Sequence, residues 1–159
     1  MADAPASDPP DQVSLRIDAP PERIYDVVTD IAQMGRLSPE CTGGRWLGDA
    51  TGPAVGARFK GSNKRGIARW STTNEVVAAE PGRRFSFETQ QSAARWTYEL
   101  EPDGAGTLVT ERRELYKKRP TVAVIFTKLL LGGEDGHSEE LRDGMRQTLE
   151  RVKAVAEAG

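Results

Sequence analysis

The feature that most constrains the fold is a series of extended segments, between positions 45 and 116, in which apolar and polar residues alternate. Phe85 and Phe87, for example, alternate with charged or small residues. A period of two is typical of a β-strand with one buried face. Turn-forming pairs such as Pro81-Gly82 and Asp103-Gly104 separate the segments by lengths suited to hairpins. The sequence therefore predicts successive, mostly antiparallel strands at residues 45–47, 58–63, 68–78, 84–89, 94–101 and 107–116.

The sequence before residue 45 predicts one more strand, which brings the total to seven, followed by two short helices. Residues 13–18 alternate apolar and polar side chains, which indicates a strand that ends near Asp18. Pro20-Pro21 fits only the opening of a helix, and apolar residues recur at helical spacing over residues 24–31. A second short helix is predicted over residues 31–37. Gly43-Gly44 is expected to break the pattern before the next strand begins.

The C-terminal segment changes to the period of a long α-helix. Its apolar residues recur every three or four positions and form one stripe, namely Leu141, Met145, Leu149, Val152 and Ala156. Ser138 is expected to cap this helix at its N-terminus. The apolar run at residues 121–131 is expected to belong to the same helix, which breaks or kinks at the glycines that follow. That run is too short to span a bilayer, which needs about twenty apolar residues.

Composition limits the class of protein and its partners. A length of 159 residues fits a single domain, predicted to cover residues 12–158 after a flexible tail at residues 1–11. The tail lacks the basic start and apolar core of a signal peptide, so we expect a cytoplasmic protein. The 22 basic and 24 acidic residues nearly balance, and no nucleic-acid partner is expected. With one His and one Cys in the chain, we expect no metal and no cofactor.

One face of the predicted sheet collects aromatic side chains together with hydroxyl and amide groups. The aromatic residues fix the phase of each strand. The resulting set has the composition of a small-molecule site, in which a few polar groups lie among apolar walls. The predicted ligand-binding residues on the sheet are Phe59, Asn63, Trp70, Thr72, Asn74, Phe85, Phe87, Trp96 and Tyr98.

Two features of this face have alternative interpretations. Asn63 and Asn74 could instead serve the fold, near strand ends or bulges, by bonding to the backbone. The last strand has two phases, and we favour the first: Val109, Glu111, Arg113 and Leu115 inward, or Leu108, Thr110, Arg112 and Tyr116 inward.

Gly144 and Met145 on the long helix complete the predicted binding site. Gly144 lies near the sheet-facing stripe, where Gly costs a helix about 1 kcal/mol relative to Ala. Either the helix passes close to a strand there, or the missing side chain leaves room for a ligand, and we predict the second. Cys41 is predicted to be structural or simply free, and His137 to be a helix-entry residue.

Six segments carry a resemblance to a known family. They are IDAPPERIYDVVTDI at residues 17–31, GARFKGSNKRG at 56–66, ARWSTTNEVVAAEPGRRFSF at 68–87, RWTYELEP at 95–102, GTLVTERRE at 106–114 and LRDGMRQTLERVK at 141–153. With the order β-α-α-β6-α, they resemble the START-like, Bet v 1-like superfamily (SRPBCC), in particular its bacterial polyketide cyclase/dehydrase and lipid-transport group. The resemblance implies an α+β helix-grip fold. In that fold a seven-stranded curved antiparallel sheet wraps around a long C-terminal helix and leaves an apolar tunnel.

The leading functional hypothesis is binding or transport of a small hydrophobic or amphipathic molecule, of lipid, polyketide or isoprenoid type, between sheet and helix. The alternative is a polyketide cyclase or dehydratase that acts on a poly-keto or aromatic substrate. Tyr98 or Glu111 would then be the proton donor or base, and Asn63 and Arg113 would hold carbonyl oxygens. Glu111 and Arg113 could equally form a cross-strand or solvent-facing ion pair. Basic residues cluster at the end of the last strand and around one hairpin, the latter being Arg58, Lys60, Lys64, Arg65 and Arg69. They leave transient contact with an anionic membrane surface as a third hypothesis.

Overall fold

The structure, a computed structural model, describes residues 11–116 and 134–159, and of residues 134–138 it describes the backbone alone. Within these ranges the elements are, in chain order, β1 (Gln12–Ile17), α1 (Pro21–Val28), a 3-10 helix (Ile31–Arg36), β2 (Cys41–Trp46), β3 (Arg58–Arg65), β4 (Ala68–Glu80), β5 (Arg84–Thr89), β6 (Ala94–Asp103), β7 (Gly106–Leu115) and α2 (Glu134–Ala158). The predicted order of elements is confirmed, with the second short helix in 3-10 geometry.

The strands form one antiparallel sheet in the order β1-β7-β6-β5-β4-β3-β2. Strands β2 to β7 are consecutive neighbours, and β1 pairs with β7 so that Val13 lies opposite Glu111. The first and last strands of the chain therefore meet at one end of the sheet. The predicted fold class, an α+β helix-grip fold with a curved seven-stranded antiparallel sheet, is confirmed.

Two irregularities in the strands curl the sheet. The pairing register shifts between Cys41 and Gly43 in β2, and between Val76 and Ala78 in β4. A bulge of this kind bends its strand and increases the local twist. Gly44 has a separate role, because a Cβ there would lie 2.9 Å from Cγ2 of Ile31. The 3-10 helix can therefore pack directly against β2 only while residue 44 has no side chain.

Helix α2 packs against the curved sheet through its predicted apolar stripe. Met145, Leu149, Val152 and Ala156 are buried in the core, and Leu141 is half-buried. The helix begins at Glu134, so Ser138 lies inside it and does not cap it as predicted.

Both ends of α2 are tied to other elements by arginine side chains. Near its N-terminus, Glu140 forms an ion pair with Arg65 at the β3–β4 hairpin. At its C-terminus, the Arg23 guanidinium of α1 donates to the carbonyl oxygens of Ala156 and Gly159, at 3.3 and 2.9 Å. The helix therefore runs from the β3–β4 end of the sheet to α1.

Several predicted strand boundaries are wrong by two or more residues, among them the start of β2 and the end of β3. Strand β2 begins at Cys41 rather than at residue 45, because the bulge lets Gly43-Gly44 continue the strand instead of breaking it. The turn between β3 and β4 consists of Gly66-Ile67, since Arg65 still pairs with Ala68. The predicted tail up to residue 10 and the apolar run at residues 121–131 lie outside the described residues.

Candidate ligand-binding site

Alternate residues of β3 to β7 line the side of the sheet that faces helix α2, which we call the concave face. Phe59, Phe85 and Phe87 are buried there, which confirms the predicted phase of β3 and β5. The Phe59 ring packs edge-to-face against the rings of Phe87 and Trp46, with centroids 5.0 and 5.6 Å apart. These phenylalanines therefore form a packed floor beneath the rest of the concave face.

Other side chains on the concave face remain half-buried. They are Asn63, Trp70, Thr72, Trp96 and Tyr98. Strand β6, which carries Trp96 and Tyr98, is paired on both sides, by β5 and by β7. An inward side chain in the interior of a sheet keeps accessible surface only where the layer above does not cover it. This part of the concave face is therefore incompletely covered in the described part of the chain.

The polar residues of β4 and β5 bond to one another. Asn74 donates to the Thr72 hydroxyl at 3.1 Å and to the Phe59 carbonyl oxygen at 3.4 Å, and accepts from the Thr89 hydroxyl at 2.6 Å. Gly61 makes this possible, because a Cβ there would lie 2.9 Å from the Thr72 hydroxyl oxygen. The Asn74 amide thus serves the fold, as the alternative interpretation held, and Thr72 is the member of the network nearest to open space.

Asn63 and Cys41 form a second polar group on the concave face. They are opposite each other on β3 and β2, and Trp70 is opposite Asn63 on β4. Asn63 is half-buried, and its amide makes no hydrogen bond to any residue that the structure describes. Cys41 donates a weak hydrogen bond to the Gly43 carbonyl oxygen at 3.4 Å, and burial raises the pKa of its thiol.

Cys41 is the site residue that the sequence analysis missed. Its negative charge, if formed, would raise the pKa of Tyr98, so the thiol and the phenol lie within electrostatic range of each other. The alternation of side chains did not place Cys41 on the concave face, because the bulge after Cys41 interrupts the period of two. Counting one extra residue there would have placed Cys41, Gly44 and Trp46 on the same face.

Glu111 of β7 points inward beside Tyr98 of β6. Val109, Glu111 and Arg113 are buried, which confirms the favoured phase of the last strand, whereas Leu115 at its end is exposed. The Tyr98 hydroxyl donates to Oε1 of Glu111 at 3.0 Å. Oε2 of Glu111 is buried, and no hydrogen-bond partner for it exists in the part of the chain that the structure describes.

The environment of this pair favours its neutral form. Burial raises the pKa of the Glu111 carboxyl to about 8, against a smaller lowering by the Tyr98 hydrogen bond. Burial, with the neighbouring carboxyl, raises the pKa of Tyr98 well above its usual range. At neutral pH the pair therefore consists of a carboxylic acid and a phenol, and Glu111 is suited to be a proton donor rather than a base.

Arg113 does not pair with Glu111. Its guanidinium lies 3.2 Å from the Asp11 carboxylate, just before β1, and its side chain is buried. On β6 its backbone partner is Trp96. The ion pair anticipated for Arg113 is therefore found with a different carboxylate, and part of its hydrogen-bonding capacity is already used by the fold.

The two predicted helix residues occupy different surroundings. Met145 is buried in the core. A Cβ at Gly144 would lie 3.5 Å from Cγ of Pro39, an ordinary van der Waals contact with the segment before β2. Gly144 therefore faces that segment rather than a strand, and close helix–strand contact does not explain the glycine.

The opposite side of the sheet carries a different kind of recess. A groove of about 260 Å³ lies at one end of the outer surface, lined largely by charged and polar side chains together with Leu100 and Leu108. Its lining includes Glu80, Arg83, Arg84, Glu99, Glu101 and Thr110. Such a surface suits water and ions better than an apolar molecule. Substitutions in this groove are therefore suitable controls for ligand binding on the concave face.

The described residues contain neither a grouped metal site nor a membrane-spanning helix. Among them, no three His, Cys, Asp or Glu side chains are grouped so as to hold a metal ion. Helices in residues 11–116 and 134–159 are too short or too polar to cross a bilayer.

Comparison with known proteins places the fold in a family. Residues 12–157 match the family model for polyketide cyclase / dehydrase and lipid transport. The chain belongs to this family. It is similar to the Polyketide_cyc-like protein Cgl2372 of Corynebacterium glutamicum, with 31% identity, 92% of this chain and 90% of that chain covered, and a TM-score of 0.60.

More distant structures share the family's fold. The KanY protein (ms6282) is 17% identical, with 92% of this chain and 95% of that chain covered and a TM-score of 0.68. The di-domain ARO/CYC StfQ from the steffimycin biosynthetic pathway is 14% identical, with a TM-score of 0.70. The match covers 92% of this chain and 50% of StfQ, so this chain spans half the length of that protein. Comparison with curated proteins finds no match.

Proposed function

We propose that this protein binds a small hydrophobic or amphipathic molecule, of lipid, polyketide or isoprenoid type, between the concave face and helix α2. The observation that carries the proposal is the half-buried state of Thr72, Trp96 and Tyr98 on central strands. They lie beside a packed phenylalanine floor, so the opening has apolar walls and few polar groups. That is the usual composition of a small-molecule site.

The proposed ligand-binding residues are the set predicted from the sequence, with Cys41 added. Trp96, Tyr98, Trp70, Thr72 and Asn63 would contact the ligand directly. The phenylalanines and Met145 would support that surface from below, and Asn74 would hold Thr72 in place. Gly144 would contribute only if the ligand reaches the Pro39 segment.

A second candidate is polyketide cyclase or dehydratase chemistry, and the Tyr98–Glu111 pair favours it. A buried carboxylic acid that stays protonated at neutral pH can supply a proton to a carbonyl or hydroxyl oxygen. Asn63 has a half-buried amide that could hold a carbonyl oxygen, whereas Arg113 is tied to Asp11. For a cyclase, Glu111→Gln should lower turnover while affinity is kept. For a carrier there is no turnover to lose, and the substitution should change only how affinity depends on pH.

Binding should stabilise the folded state measurably. At a ligand concentration about one hundred times Kd, the gain is about 2.7 kcal/mol. For a chain of this size, that raises Tm by roughly 5 to 10 °C. We expect this response, with a change in tryptophan fluorescence, for at least one of 2-acetylnaphthalene, farnesol and 1-dodecanol.

Two variants locate the response. Trp96→Ala should weaken binding by about tenfold or more, because it removes an aromatic wall. Leu108→Ala, in the outer groove, should leave the affinity unchanged. A wild-type protein whose Tm and fluorescence ignore all three compounds, or a Leu108→Ala variant that loses binding while Trp96→Ala keeps it, would contradict the proposal.

With this function we also propose a bacterial source and a cytoplasmic location, as expected from the sequence. Transient contact with an anionic membrane surface would suit a carrier that collects its ligand from a bilayer. Of the basic residues that suggested such contact, Arg58 and Arg65 are paired with acidic residues, and Lys64 and Arg69 remain exposed.

A further inference from the structure

The Tyr98–Glu111 pair combines one accessible group with one inaccessible group. Tyr98 is half-buried on the concave face, so its side chain can touch a ligand. Glu111 is 3% exposed, and its carboxyl accepts a hydrogen bond from the Tyr98 hydroxyl. Oε2 of Glu111 has no partner among the described residues, although buried polar atoms nearly always have one. Among the described residues, the hydrogen bonding of this pair is therefore incomplete.

No positive charge is bonded to the Glu111 carboxyl in the described part of the chain. Two arginines follow Glu111 on β7: Arg112 bonds to Gln12 and Glu99, and Arg113 is engaged with Asp11. On β1, the residue opposite Glu111 is Val13. Helix α2 contributes buried apolar side chains and the half-buried Arg142, whose Nε has no hydrogen-bond partner among the described residues. The shifted pKa of Glu111 arises from burial and the Tyr98 hydrogen bond, with no contribution from an arginine. A carboxylate here would be uncompensated, so the carboxyl keeps its proton at neutral pH.

The protonation state of Glu111 decides what the Tyr98 hydroxyl can do. A carboxylate only accepts hydrogen bonds, so it would hold the Tyr98 hydroxyl as a donor to itself. A carboxylic acid also donates, so it can donate to Oη of Tyr98. The phenolic O–H then no longer has to donate to Glu111. The released O–H group can then point into the opening on the concave face.

We propose that Tyr98 donates a hydrogen bond to an uncharged ligand oxygen, a ketone or hydroxyl, and that neutral Glu111 is the positioning residue that frees it to do so. This inference rests on the proposed function. It narrows the ligand class to apolar molecules that carry a neutral oxygen. It also makes affinity for such ligands dependent on pH, whereas affinity for hydrocarbons of the same shape does not depend on pH.

The test uses two probes of matched shape, 2-acetylnaphthalene with a ketone and 2-isopropylnaphthalene without one. Their affinities are measured by tryptophan fluorescence at about pH 6.5 and about pH 9. With a Glu111 pKa of about 8, roughly one molecule in eleven keeps the neutral carboxyl at the higher pH, so ketone affinity should fall about tenfold. Hydrocarbon affinity should change less than about twofold.

Two variants assign the effect to the pair. Tyr98→Phe should weaken ketone binding about tenfold at the lower pH and leave hydrocarbon binding unchanged. Glu111→Gln, whose amide donates at every pH, should keep ketone affinity at about pH 9. Cys41 does not imitate the effect, because its raised pKa keeps the thiol protonated through most of this range.

Equal ketone affinity at the two pH values in wild type would overturn the inference. So would a Tyr98→Phe variant that binds the ketone normally, or a pH dependence that survives in Glu111→Gln. In each of those cases the hydrocarbon still binds, and the proposed function stands. If neither probe changes the fluorescence at either pH, this inference fails, and the proposed function fails with it if farnesol and 1-dodecanol also give no response.

Discussion

The free energy of unfolding of a Glu111→Gln variant should rise relative to wild type by about 3.5 kcal/mol between about pH 5 and about pH 8. The folded-state pKa of Glu111, about 8, lies above its ordinary value of 4.5. Folding therefore takes up a proton, and the stability contributed by the neutral carboxyl is complete below about pH 4.5. It is lost as the pH rises toward 8, and the glutamine variant has no such loss.

Urea denaturation at several pH values measures this difference directly. Subtracting the two curves removes the contribution of every other titrating group. Glu101→Gln, at an exposed position on β6, controls for the loss of a carboxylate from the same region of the chain. Parallel curves for Glu111→Gln and wild type from about pH 5 to about pH 8 would mean that Glu111 is not a buried neutral acid.

Phe59→Ala should lower the free energy of unfolding by about 3 to 5 kcal/mol. Phe59 has no solvent-accessible surface, and its ring contacts the rings of both Trp46 and Phe87. Removal of the ring leaves a cavity in the floor that supports the concave face. The same change should broaden or shift the fluorescence of Trp46, because its neighbouring ring is gone.

Ile67→Ala is the matched control for the loss of a large apolar side chain. Ile67 lies in the β3–β4 turn and is fully exposed, so its substitution should change stability by no more than about 0.5 kcal/mol. Chemical denaturation of both variants gives the comparison. Equal losses from the two substitutions would show that Phe59 does not belong to the packed floor.

The sheet and its phase were predictable because alternation over six strands is a redundant signal. Phe85 and Phe87, or Trp96 and Tyr98, each fix a whole strand, since a one-residue slip would turn every side chain to the wrong face. The helical stripe from Met145 to Ala156 is redundant in the same way. By contrast, β2 was truncated in the prediction because its glycines and its bulge break the period that identifies a strand.

The polar part of the site was less predictable, since hydrogen-bond partners depend on register between distant strands. Asn63 and Asn74 look alike in sequence, yet Asn74 lies beside Thr89 and bonds to it, whereas the Asn63 amide extends beside Cys41. Glu111 and Arg113 are likewise two residues apart on one strand, but their cross-strand neighbours differ. Only pairing with β1 and β6 gives one of them Asp11 and the other Tyr98.

An apolar molecule bound on the concave face would lie against the side chains of β6. Intermolecular nuclear Overhauser effects between bound 2-acetylnaphthalene and the side-chain protons of the protein detect such contacts. We expect cross-peaks from the probe to the ring protons of Trp96 and Tyr98. Cross-peaks to the Leu108 methyl groups of the outer groove, with none to Trp96 or Tyr98 at saturation, would contradict binding on the concave face.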